Sequence, residues 1–146
     1  MNSKQRSDFE APPSSSLEAI ARCVPPTGID FGYCCVGGSE TTRSFVLSNT
    51  LPKGVASSTV RFALKLDENH FSVSPDNGKP HLHFNSCLGT LQARKSQEIT
   101  ITFKSQEAKV MIALIVMKLT DIQTGQELNR SLKVSAIGKY PFITLD

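Results

Sequence analysis

Apolar positions along this chain recur with a period of two. Val60, Phe62, Leu64 and Leu66 alternate with Arg61, Ala63, Lys65 and Asp67, which predicts a half-buried antiparallel strand. Ile99, Ile101 and Phe103 alternate in the same way with Thr100, Thr102 and Lys104, and Leu132, Val134 and Ala136 with Lys133 and Ser135 up to Gly138. Near the start, Ile29-Asp30-Phe31 reads as a short strand closed by Gly32, followed by a turn at Gly37-Gly38. In the next strand Phe45 and Leu47 face one way and Ser44, Val46 and Ser48 the other. Leu51 to Ser58, with Pro52 and Gly54, is a loop. Phe71 and Val73 predict a short strand stopped by Pro75-Asp76-Asn77-Gly78, and His81 to Phe84 another. Thr120 to Glu127, containing Gly125, reads as a hairpin connection.

Seven or eight short strands, turns between them and no long helix predict an all-β fold, an antiparallel β-sandwich of immunoglobulin-like type. Its core is expected from Phe31, Phe45, Leu47, Val60, Phe62, Leu64, Phe71, Ile99, Ile101, Phe103, Ile112, Leu114, Val134 and Ala136. One strand breaks the alternation. Val110, Ile112, Leu114 and Val116 lie on one face and Met111, Ala113, Ile115 and Met117 on the other, all apolar. A sandwich strand shows one face to water, so the second face calls for cover by the chain's own tail or loops, a neighbouring domain or a partner. Ile115 and Met117 are therefore candidate partner-binding residues.

Residues 1–24 read as a flexible tail, rich in proline and serine at Ala11-Pro12-Pro13-Ser14-Ser15-Ser16. Within it Leu17 to Cys23 predicts a brief helical turn, with Ser16 as its N-cap and Leu17, Ile20 and Ala21 on one face. Residues 25–140 form the sandwich domain, and 141–146 a run-out toward a possible following repeat.

Charge narrows the choice of partner. Sixteen Lys and Arg against 13 Asp and Glu leave a formal +3, scattered without any run of five like charges. Nucleic-acid binding shows as a concentrated basic stripe, which this chain lacks. No stretch approaches the ~20 apolar residues of a membrane span. Met1 to Asp8 has no apolar signal core, and Cys23, Cys34, Cys35 and Cys87 follow no disulfide framework. Reduced thiols in the cytoplasm are the expectation.

Catalytic chemistry finds little support. There is no Gly-x-Ser-x-Gly elbow, and Gly37-Gly38-Ser39 lacks the lysine and helix of a phosphate loop. Asp67, Glu68 and Asp76 are single loop carboxylates. His81, His83 and Cys87 would need a fourth ligand, Cys34 or Cys35, to hold zinc, and their spacing matches no established zinc motif. Exposed hairpin histidines beside a small buried cysteine are the expectation. Neither an enzyme nor a cofactor is expected.

Five segments in order resemble the PapD-like superfamily, which holds the major sperm protein domain and the ASH domain. They are Ile29-Asp30-Phe31-Gly32 with Val36-Gly37, Arg43 to Asn49, Phe71-Ser72-Val73-Ser74-Pro75, Gly89-Thr90-Leu91 through Ser96 into Ile99 to Phe103, and Leu132 to Gly138. Together they cover about residues 27–138. Ala93-Arg94 stands where the family usually carries Pro-Gly, Lys104-Ser105 where a proline is common, and Asn77 to Leu88 looks inserted. The resemblance, nearest to hydin-like ciliary proteins, implies a non-catalytic module that docks other proteins in cilia, flagella or centrosomes. Axonemal, basal-body or centrosomal components would be its partners, and the chain one repeat of a larger protein in the cytoskeleton. Docking would use strand edges, Ile29–Phe31 and Leu132–Ile137 among them, or loop faces. In related major sperm protein domains a basic face captures short acidic motifs. Lys65, Lys79, Arg94, Lys95 and Lys104 are the candidates for such a face, with Lys79, Arg94 and Lys95 foremost.

Overall fold

The computed structural model describes residues 13–51, 56–72, 81–105 and 108–140, without the side chains of 68–72 and 81. Among these residues a short helix α1 (Ser16–Ala21) is followed by eight strands. They are β1 (Ile29–Cys35), β2 (Thr41–Ser48), β3 (Val60–Ser72), β4 (His81–Phe84), β5 (Leu88–Leu91), β6 (Ser96–Lys104), β7 (Val110–Asp121) and β8 (Glu127–Lys139). They form an immunoglobulin-like sandwich of a five-stranded sheet, β1-β8-β7-β3-β5, on a three-stranded sheet, β2-β6-β4. All pairings are antiparallel except β1 with β8.

Period-two burial follows from this layering. Phe45 and Leu47 of β2, with Ile99, Ile101 and Phe103 of β6, point at Val60, Phe62 and Leu64 of β3 and Leu132, Val134 and Ala136 of β8. Phe31 of the larger sheet meets Phe103 of the smaller one, their ring centroids 5.6 Å apart and tilted by 41°. A tilted aromatic pair contributes about 0.5–1.5 kcal/mol beyond its buried area.

Four expectations change. First, β7 sits in the opposite phase: Met111, Ala113, Ile115, Met117 and Leu119 are buried, while Ile112 is 41 % exposed and Leu114 half-buried. The cause is register. Met111, Ala113 and Ile115 pair with Ala136, Val134 and Leu132, the buried face of β8, and cross-strand partners share a face. Second, residues 16–24 are no tail. Leu17, Ile20, Ala21 and Val24 belong to the core, and α1 packs on β2, β7 and β8. Its N-cap is Ser15, whose Oγ accepts from Glu18 N at 3.2 Å, because Ser16 is buried and its Oγ accepts from Ser58 N instead. Third, β8 lies between β1 and β7, so Leu132–Ile137 is not an edge. Fourth, Phe71 continues β3 after a register shift between Leu66 and Phe71. Val73, the turn at 75–78 and residues 1–12 and 141–146 lie outside the described residues.

Candidate docking surfaces

Among the described residues no group of three His, Cys, Asp or Glu side chains is placed to hold a metal ion. Cys34 is buried in the core cluster and Cys87 is exposed. Asp121 is a turn-former: Ser58 Oγ donates to it at 2.9 Å, and Gln123 N and Thr124 N at 2.9 and 3.3 Å. Burial raises its pKa, but these donors outweigh burial and hold the carboxyl below its usual range. It fixes the β7–β8 connection.

The basic candidates among the described residues are spread over the fold. Lys79 lies outside the described residues. Arg94 and Lys95 are exposed neighbours on the β5–β6 turn, which is fastened to Asn49: Asn49 N donates to Lys95 O at 2.9 Å and Arg94 N to Asn49 O at 2.8 Å. The Asn49 side chain, fully buried, donates to Ser58 O and Leu91 O. The step from strand into asparagine is thus a buried clamp at the end of β2. Lys104 stands at the other end of β6, about 30 Å from Lys95 at ~3.3 Å per residue, and Lys65 on the other sheet.

Ile115 and Met117 are 0 % and 1 % exposed. Neither is presented to a partner in this fold. The face of β7 that meets water is the other one, Val110, Ile112, Leu114 and Val116. At its end Val110 is level with Ile137 and Ile137 with Tyr33, and Lys139 Nζ lies 4.6 Å from the Tyr33 ring centroid. The all-apolar run called for one uncovered apolar row, but nothing in the run says which, and Ile115 and Met117 belong to the row that is buried.

Four strands border the sheets: β1 and β5 in the larger, β2 and β4 in the smaller. β4 and β5 are four residues each. β1 carries a register shift between Asp30 and Tyr33, where Gly32 adopts φ +72° and donates its N–H to Asp30 Oδ1 at 2.8 Å. Such a bulge twists an edge and spoils it as a template. β2 is different: all eight residues pair with β6 without a shift. Its free side is identified at Ser48, whose N–H donates to Cys23 Sγ at 3.3 Å rather than to β6. The ladder's period of two then turns the N–H and C=O groups of Thr42, Ser44 and Val46 the same way. These positions face β6 as closely spaced, non-hydrogen-bonded pairs, consistent with hydroxyl contacts Ser44–Thr100 at 3.1 Å and Ser48–Ser96 at 2.9 Å.

The chain has a PapD-like, immunoglobulin-like fold. The chain is similar to the ASH/PapD-like domain 7 of human CEP192, with TM-score 0.68 and 13 % identity over 92 % of each chain. It is also similar to a protein of unknown function from Porphyromonas gingivalis W83 (TM-score 0.56, 18 % identity, 77 % of this chain and 46 % of that one). A third likeness is to the CsuC–CsuE chaperone–tip adhesion subunit complex of Acinetobacter baumannii Csu pili (TM-score 0.51, 10 % identity, 75 % of this chain and 49 % of that one). No family model matches the sequence, and neither does any curated protein.

Proposed function

We propose that this chain is a non-enzymatic protein-interaction module of a ciliary, flagellar or centrosomal assembly, working in the cytoskeleton as a rigid scaffold that offers strand edges and loop faces to other proteins. The observation that carries the reading is the match in fold to a centrosomal protein's ASH domain along nearly the whole of both chains. A sandwich with an unshifted border strand agrees with it. Among those residues, no helix is long and apolar enough to cross a membrane.

Proximity labelling in ciliated cells tests the reading, with the full chain as bait. The bait must keep residues 16–24, because removing them strips Leu17, Ile20 and Val24 from the core. Enrichment of axonemal, basal-body or centrosomal proteins over a tag-only control is the expected result. A profile indistinguishable from that control overturns the reading.

A further inference from the structure

We infer that the free edge of β2 is a receptor for an extended, acidic segment of another protein, which joins the three-stranded sheet as a fourth strand beside Thr42–Ser48. The inference rests on the docking reading above and names its surface and its ligand chemistry.

Three observations meet on this strand. The first is backbone supply. Ser44 and Val46 each direct an N–H and a C=O away from β6, and among the described residues no strand takes them. Four unpaired groups in a row are what β-augmentation uses. The second is length. One end of the opening is closed by Cys23 Sγ at Ser48, and the other by Arg43, whose Nη1 donates to Thr42 O at 3.0 Å. Thr42 to Ser48 spans about 20 Å, room for a partner strand of about six residues. The third is charge. Arg43 reaches across the seam between the sheets, its Nη2 donating to Phe31 O at 3.3 Å and its guanidinium 5.8 Å from the Phe31 ring centroid. Among the described residues it has backbone carbonyls but no carboxylate to pair with.

A guanidinium prefers a carboxylate, which it binds through two parallel N–H donors, to a neutral carbonyl. An acidic residue on the incoming strand would draw Arg43 off Thr42 O and free that carbonyl for the new ladder. Until then Arg43 blunts the edge, as charged side chains on border strands do. Its charge also disfavours a second copy of this chain as the occupant, since two β2 edges laid side by side bring two Arg43 cations to one seam.

The test uses the isotopically labelled full chain and two capped synthetic hexapeptides of alternating threonine and valine, one with a central glutamate and one with lysine in its place. In the free protein, the amides of Ser44 and Val46 are expected to exchange with solvent far faster than those of Phe45 and Leu47. The glutamate peptide is expected to shift and protect Ser44 and Val46, and the lysine peptide to bind about fivefold more weakly, the scale of one exposed ion pair. Arg43→Glu reverses that order. Val46→Pro abolishes binding without touching the β2–β6 ladder, since the N–H it removes faces outward; Val46→Lys is the second edge block, for use if proline disturbs the fold.

Three results of these binding and exchange measurements overturn the inference. One is peptide-induced shifts confined to β1 or β5, which would leave edge docking standing elsewhere. Another is equal affinity for both peptides. The last is concentration-dependent protection of Ser44 and Val46 with no peptide present, which would make a second copy the occupant. Partner capture in cells together with an inert β2 edge likewise rejects this surface while keeping the docking function.

Discussion

At the scale of single residues, the departures from the family pattern are the most instructive. Arg94 stands where the resemblance leads one to expect glycine, and it adopts φ +64°, the left-handed region that side chains occupy at a cost. The turn geometry has been kept and the residue suited to it has not. Arg94→Gly is therefore expected to raise stability by about 0.5–1 kcal/mol, relief of the strained backbone outweighing the freer unfolded chain. Urea unfolding checks this, and a loss of stability would show that the guanidinium makes compensating contacts. Asp121 sets a pH dependence. Its native pKa lies below that of the unfolded chain, so its contribution is present above about pH 4 and is lost as pH falls through the native value. Asp121→Asn is expected to be less stable than the parent at pH 7, with the gap narrowing below pH 4. A constant gap down to pH 2 would show that Asn makes the turn differently but the carboxylate's charge contributes nothing.

At the scale of elements, strands with one polar face were legible from sequence and those without one were not. Phe45 and Leu47 are flanked by Ser44 and Ser48, and Leu132, Val134 and Ala136 are separated by Lys133 and Ser135; all five are buried. β7 offers no such contrast, so its alternation fixes a period without a phase. The missing information was in the hairpin: once Thr120 pairs with Glu127, the unambiguous β8 face assigns Met111, Ala113 and Ile115 inward. Ile115→Ala is accordingly expected to cost about 2–5 kcal/mol and Ile112→Ala less than about 1 kcal/mol, by chemical denaturation. The reverse order would restore the phase read from the run. α1 escaped for another reason. Six residues after a proline–serine stretch carry too little periodicity to separate a docked turn from a loose one. Its burial depends on a gap between strands that are distant in the chain. The β2 edge was hidden likewise, because strand order decides which ladder side is free and no local pattern encodes it.

At the scale of the whole molecule, the β1–β8 pairing has a mechanical meaning. β1 and β8 are parallel neighbours, with Ile29 level with Val134 and Cys35 level with Lys139. The chain thus enters the ladder at one end and leaves it at the other. Tension applied through the segments before Ile29 and after Lys139 runs along both strands and shears their hydrogen bonds together, instead of opening them one at a time. Pulled between positions 48 and 96, which face each other across β2 and β6, the same protein would unzip pair by pair. Single-molecule pulling is expected to give a clearly higher rupture force from the chain's two ends than from the 48/96 attachment, and equal forces would remove the distinction. This arrangement of first and last strands suits the chain to be a link that holds its shape under strain.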